Sequence, residues 1–367
     1  MTEVQTTTTT ATAPPKGKKT LQPQPFRPSQ GPLKSTWHQS ENKKNWGLAH
    51  WLIHLFDIDP IPAGSTTVIH DKDDPIPVFN NFSGHLYIWM RFGAALAIQW
   101  AYTQYTGHNW GYIVNLIYWG TYTAMYGLNI LHSIRRVGES TGYLQPHKNR
   151  DGIPDHRVNE VLTSLLMTGF FRPIAATLLI YDPTKPVTLS PWLPVLIPAF
   201  SIAVDFWFYW YHRAMHEYDS LWKFHRTHHT AKLPTSVLSL YADTVQEWGD
   251  VLVIPVLAYF TVRLALPMGF YDWMLCWTYV EMIELLGHSG VRVAGTSPAF
   301  DLIPLAKLDM DIIVEDHDLH HSNGWKTSGN YGKQSRIFDK LFGTVMPRKE
   351  MQAHLIDSSD KIWFPQW

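Results

Sequence analysis

The sequence predicts an all-α, polytopic membrane bundle of about four to six spanning helices arranged as hairpins, with a helical cap on its cytosolic side. Two observations predict it. Six windows are apolar over about 20 residues, the length that crosses roughly 30 Å of hydrocarbon at about 1.5 Å per residue. The connections between them alternate short and long, and Lys and Arg crowd into the long ones.

Residues 1–35 form a Thr/Pro/Lys-rich tail too poor in apolar side chains to order itself. They lack the apolar h-region of a secretory signal peptide, which places the N-terminus in the cytosol. Residues 36–160 make an N-terminal region of interfacial and membrane helices, in which "HWLIHLFDIDPIPAG" (50–64) reads as an amphipathic helix at the membrane surface. The six windows are 86–105, 111–131, 161–181, 191–211, 245–265 and 269–287; Arg91 and Arg172 interrupt the first and third. Short turns, "TGHNW", "DPTKPVTLS" and "LPM", join them into three hairpins. Those turns hold a single Lys or Arg, Lys185, against five in 132–160, four in 212–244 and nine after residue 288. The long connections and both chain ends are therefore expected to face the cytosol.

Composition narrows the chemistry. A formal net charge of −1 supplies no field for nucleic acid. The single cysteine, Cys276, excludes an intrachain disulfide and a cysteine-based zinc or iron–sulfur centre. A bound metal would be held by histidine and carboxylate.

Nine of the 19 histidines fall in one 110-residue stretch, at the predicted cytosolic ends of the spans. His212 and His216 form an HxxxH pair at the end of the fourth window. "HRTHH" supplies His225, His228 and His229, "HDLHH" supplies His317, His320 and His321, and His288 closes the sixth window. Separations of three and four put side chains on one helix face. One HxxxH pair is weak evidence, and one HxxHH cluster can be a surface patch. Two HxxHH clusters with an HxxxH pair at one membrane face point to metal. One ion takes about four to six ligands and a bridged pair about eight to ten, so nine imidazoles point to two ions. The other ten histidines lack cluster spacing; His50 and His54 read as interfacial.

Asp205 lies two turns before His212, and Glu281 and Glu284 lie on the helix that ends at His288. An unpaired charge in such apolar stretches is costly, so each is a candidate to orient a ligand imidazole through its second nitrogen, and Glu284 is also a candidate ligand. Asp316 and Asp318 flank His317 and either act likewise or face solvent. The aromatic run Phe206, Trp207, Phe208, Tyr209, Trp210 and Tyr211 either lines an approach from the bilayer or packs the helix.

At "HRAMH", "HRTHH", "GHSG" and "HDLHH", and in "DFWFYWYHRAMH", "LWKFHRTHH" and "NYGKQSRIFDKLFGT" around them, the chain resembles the fatty acid hydroxylase/sterol desaturase superfamily. The likeness covers about residues 190–346, and "GHSG" with the "NYG" segment looks most like the methylsterol oxidase/sterol desaturase branch. It implies a catalytic domain over 161–346, followed by a C-terminal tail over 347–367. It also implies a cytosol-facing dimetal site with His212, His216, His225, His228, His229, His288, His317, His320 and His321 as ligands, and no catalytic residue beyond them. The metals would be two iron ions, for which zinc can substitute in purified samples. The implied co-substrate is O2, with electrons from NAD(P)H through cytochrome b5 and its reductase, in the endoplasmic reticulum membrane. The implied reaction is hydroxylation or desaturation of an apolar lipid-like substrate: a sterol, a fatty acyl or sphingoid chain, or a terpenoid-like specialised metabolite. Where some branches carry a further histidine four residues before His288, this chain has Glu284. The competing reading is a membrane metal-binding or transport protein without oxygenase activity. Ligands at helix ends, away from the bilayer midplane, favour the enzyme.

Overall fold

The computed structural model describes residues 24–25, 33–58 and 66–366. The disordered tail expected over 1–35 lies almost wholly outside the described residues, as do residues 59–64 of the "HWLIHLFDIDPIPAG" stretch.

The chain is mostly helical, and each of the six apolar windows forms helix. Strand β1 (Gln24–Pro25) pairs antiparallel with β2 (Thr66–Thr67), and the short helix α1 (Leu48–Leu55) lies between them in sequence. Within α1, Ala49 and Ile53 are buried while Leu48, Trp51 and Leu55 are exposed, so the helix turns a second apolar surface outward. After β3 (Ile76–Phe79), α2 (Asn81–Thr106) starts where the Asn80 side chain accepts from the Ser83 N–H (3.3 Å). It stops at Gly107, whose φ of 77° is left-handed and whose N–H donates to Thr103. Then α3 (Tyr112–Thr141) folds back. Ile98, Trp100 and Tyr105 of α2 and Ile113, Val114 and Ile117 of α3 remain exposed, an apolar and aromatic outer surface suited to lipid.

Helix α4 (Val158–Leu179) packs along α3, and α5 (Leu193–Glu217) returns with Pro194 in its first turn, where a missing N–H costs nothing. Beyond α5 come α6 (Asp219–His225), α7 (Thr244–Trp248), a π-helical turn (Gly249–Val253) and α8 (Ile254–Arg263), which packs against α5. Among the described residues, three segments, Val158–Leu179, Leu193–Glu217 and Thr244–Arg263, combine the length and apolarity to cross a membrane.

Helix α9 (Phe270–Gly287) is the central helix of the bundle. Sixteen of its 18 residues are buried, and α2, α3, α4, α5 and α10 (Val314–Asn323) pack around it. It is apolar on every side because protein surrounds it. An apolar run of this length reads the same whether its neighbours are lipid tails or helices.

The last elements are α11 (Ile337–Phe342) and β4 (Ile356–Ile362), which pairs in parallel with β3. Phe364 then packs edge-on against Tyr87 (4.7 Å) and Phe79 (5.7 Å), and its N–H donates to Ser83 Oγ (2.8 Å). These contacts fasten the C-terminal segment to the start of α2.

Candidate metal centre

The nine histidines reach the centre from five pieces of chain. His212 and His216 stand one turn apart at the end of α5, His225 ends α6, and His228 and His229 occupy the 3-10 turn that follows. His288 caps α9, and α10 carries His317, His320 and His321. All nine are at least nine-tenths buried.

They form two sets: His212, His216, His225, His229 and His320 in one, His228, His288, His317 and His321 in the other. Within each set the candidate ligand atoms lie within 4.8 Å of one another. Metal–imidazole bonds of about 2.0–2.1 Å put two nitrogens of one ion at most about 4.2 Å apart, so either set could close on an ion with little movement. The inward atoms are Nε2. His212 faces His225 at 3.0 Å, His216 faces His229 at 3.1 Å and His229 faces His320 at 3.0 Å. In the second set His317 is 2.9 Å from His288, His288 is 3.3 Å from His228 and His321 is 3.2 Å from His317.

The outward nitrogens decide what these contacts are. Nδ1–H donates from His212 to the Tyr331 carbonyl (3.0 Å), from His216 to Trp325 (3.0 Å) and from His228 to Tyr241 (3.0 Å). It donates from His288 to Glu284 (2.9 Å), from His320 to Gly329 (2.7 Å) and from His321 to Ala231 (2.8 Å). His225 donates to Gln246 Oε1 (2.9 Å). A carbonyl can only accept, so the neutral ring must carry its proton on Nδ1 and present a lone pair at Nε2. Burial, then the neighbouring imidazoles, pushes the pKa of His225, His229, His317, His320 and His321 well below the ordinary value. His228 falls to about 3 by burial and then by His288, and His288 falls to about 4 chiefly by burial, with Glu284 working against the fall. Neutral rings facing one another through lone pairs at 3 Å repel unless a cation lies between them. The donor set therefore fits two metal ions.

The carboxylates do other work. Asp205 reaches no imidazole. It accepts from the Lys333 N–H (2.7 Å), the Gln334 N–H (2.9 Å) and Ser335 Oγ (2.5 Å), and so holds the loop whose Tyr331 carbonyl orients His212. Glu284 orients His288 through its backbone carbonyl, while its carboxylate lies 3.2 Å from Lys333 Nζ and 3.4 Å from Arg172 Nη2. Neither Glu284 nor Glu281 belongs to a ligand set. Asp316 and Asp318 are buried, not solvent-facing: Asp316 pairs with Arg348 (2.7 Å) and Asp318 with Arg150 (2.5 Å). These ion pairs brace the outer side of α10.

The "NYGKQSRIFDKLFGT" segment is now intelligible. Asn330 has a φ of 53°, and its side chain donates to the Asp316 carbonyl and accepts from the Met346 N–H. Asp339 accepts from the Tyr331 and Gly332 N–H groups, each at 2.8 Å. The segment holds in place the Tyr331 carbonyl that orients His212. Sequence reasoning missed Gln246, Arg150 and Arg348; an isolated polar residue leading into an apolar helix was the only signal for Gln246. The aromatic run packs the helix: Tyr209 stacks on Phe342, Phe208 lies against His212, and Trp207 donates to Thr261. An apolar cleft instead reaches His288 and His317 between Ile283, Leu286, Ile312 and Ile313.

Residues 197–344, which contain all nine histidines, match the family model described as fatty acid hydroxylase. That stretch is a fatty acid hydroxylase family domain. A protein named fatty acid hydroxylase vlmA, from Lecanicillium sp, is 41% identical over 241 residues, 63% of this chain and 65% of that protein. Alkylglycerol monooxygenase from Homo sapiens is 29% identical over 219 residues, 54% of this chain and 43% of that one. The very-long-chain aldehyde decarbonylase GL1-8 of Oryza sativa subsp. indica is 27% identical over 238 residues, 59% of this chain and 83% of that one. The chain thus spans under two thirds of the first two relatives' length. No solved structure matches it.

Proposed function

We propose that this protein is a membrane-bound, O2-dependent oxidoreductase that hydroxylates or desaturates a C–H position of a lipid-like substrate at a di-iron centre. The observation that carries this reading is the convergence of nine neutral imidazoles in two sets of five and four. The relatives' names (fatty acid, alkylglycerol, very-long-chain aldehyde) favour a chain lipid over a sterol.

Two iron ions held by these histidines would supply the activation of O2. The chain's residues supply position. Nδ1 donors lock seven rings so that their Nε2 lone pairs stay aimed inward. The imidazoles would act as ligands rather than as acids or bases, since burial disfavours their protonation and the metal ions would take up the Nε2 lone pairs. Ile283, Leu286, Ile312 and Ile313 would guide an apolar chain to His288 and His317 and exclude bulk water from the reacting carbon. Electrons would come from NAD(P)H through cytochrome b5, on the cytosolic face of the endoplasmic reticulum membrane.

The test is metal analysis of purified protein, followed by incubation of the iron-loaded form with a panel of chain lipids, O2 and a reductase system. Two metals per chain and lipid-dependent O2 consumption are expected. Fewer than two metals would sink the dimetal reading; two metals without oxygenation of any lipid would favour a metal-binding protein.

A further inference from the structure

Arg172 sits inside a candidate membrane span and is only 3% exposed. A cation in that position marks a functional site unless its donors are all met. They are not. Its Nη2 faces Glu284 (3.4 Å) and its guanidinium lies 3.9 Å over the Trp277 ring, but Nε and Nη1 have no hydrogen-bond partner among the described residues. Each such unmet buried donor carries a free-energy cost.

Arg172 lines a cavity between α3, α4 and α9, together with Glu281, Glu284, Gly127 and Leu240. The free space is about 20 Å³, room for one water-sized group. Gly127 helps to keep it open: a Cβ there would stand 2.8 Å from Glu281 Oε1. The cavity shares Glu284 with the apolar cleft that reaches His288 and His317. Along α9, Glu284 is about one helical turn, roughly 5.4 Å, from His288.

Charge decides what fits. Lys333 Nζ lies 3.2 Å from Glu284 and 2.6 Å from Asp250, so the buried cations Arg172 and Lys333 face the carboxyls of Glu284 and Asp250, with Glu281 beside them. No positive charge is left over for an anionic ligand, and a buried carboxylate without a partner is costly.

We propose that Arg172 recognises the substrate through an uncharged oxygen at or near one end of a lipid chain, a hydroxyl, ether, aldehyde or ester oxygen that accepts from the free Nε–H or Nη1–H. A hydroxyl can also donate to Glu281. The oxidised carbon then lies within a few bonds of that oxygen, because the anchor is one helical turn from a histidine of the four-membered set. This rests on the lipid-oxidising reading above and names the substrate class that Arg172 selects.

The experiment compares binding of hexadecan-1-ol, hexadecane and hexadecanoate to the purified metal-loaded protein by titration, with turnover read in parallel. The alcohol is expected to bind at least about tenfold more tightly than the hydrocarbon or the acid, as one hydrogen bond to a buried charged donor requires. Arg172→Gln, with metal content matching the parent, is expected to bring alcohol and hydrocarbon within about twofold. If that variant does not fold, the comparison in the parent protein decides. Equal binding of alcohol and hydrocarbon, tighter binding of the acid, no binding of the alcohol, or an undiminished preference in Arg172→Gln overturns the proposal. Preferential binding of the alcohol without oxidation of any lipid supports recognition by Arg172 and refutes the oxygenase reading instead.

Discussion

Asp205→Asn tests how far the centre depends on a residue that touches no metal ligand. The Asp205 carboxylate accepts three hydrogen bonds, from Lys333 N (2.7 Å), Gln334 N (2.9 Å) and Ser335 Oγ (2.5 Å). Asparagine keeps the shape and one acceptor oxygen, so the two backbone bonds can survive as neutral ones. The serine must reverse to accept from the new amide. Charged hydrogen bonds are worth about 1.5–3 kcal/mol against about 1 for neutral ones, so two weakened bonds lose roughly 2 kcal/mol. Relief of the carboxylate's own burial works against this loss and holds it near that figure. A loss of that size lowers Tm by roughly 2–3 °C in a chain of 367 residues. The second effect is local. A loosened 333–335 loop releases the Tyr331 carbonyl that orients His212, and loss of such an outer partner costs about 10- to 100-fold in metal affinity. Thermal unfolding in detergent measures the first effect and metal titration the second. An Asp205→Asn protein with parental Tm and parental affinity at both ions would refute the claim that this carboxylate holds the loop, and the loop the histidine.

Gln246→Ala removes the acceptor for His225 Nδ1, so one of the two metals should bind about 10- to 100-fold more weakly, while Gln246→Glu, which keeps an acceptor, should bind nearly as the parent does. Metal titration of both variants separates orientation from bulk. Gly290→Ala should be severely destabilising: φ is 63° there, and a Cβ would stand 1.6 Å from Arg150 Nη2, which pairs with Asp318. Breaking a buried ion pair costs roughly 3–5 kcal/mol, and a variant with parental Tm would contradict the geometry. Protein stripped of metal should lose stability on acidification. His228 and His288 titrate near 3 and 4 when folded and near 6.5 when unfolded, so the unfolded chain binds the extra protons as pH falls below 6.5. The loss accrues at about 1.4 kcal/mol per pH unit for each such imidazole until the folded values are reached, and stability flat from pH 7 to 4 would refute it.

The periodic features were legible from one dimension. Helical spacing within "HRAMH", "HRTHH" and "HDLHH" announced shared faces, and apolar length announced six helices, because both signals reside in consecutive residues. The same locality limits what consecutive residues can say. The apolarity of α9 does not say whether lipid or protein lies outside it, and only the packing of five helices around it does. Asp205 was placed near His212 by helix geometry, but its partners Lys333, Gln334 and Ser335 arrive from more than 120 residues away.

The sequence by itself pointed to nine imidazoles gathered at one place, since their types and spacings suit two ions. Only the tertiary structure decided how they divide. His228 and His229 are adjacent yet belong to different sets, and His320 joins the α5 histidines while His317 and His321 of the same helix join His288. Neighbouring positions on a helical turn point about 100° apart, so spacing establishes a face but not which ion that face meets. That choice is made where α5, the 3-10 turn, α9 and α10 come together, and by the backbone carbonyls and the Gln246 side chain that fix seven of the nine rings from behind.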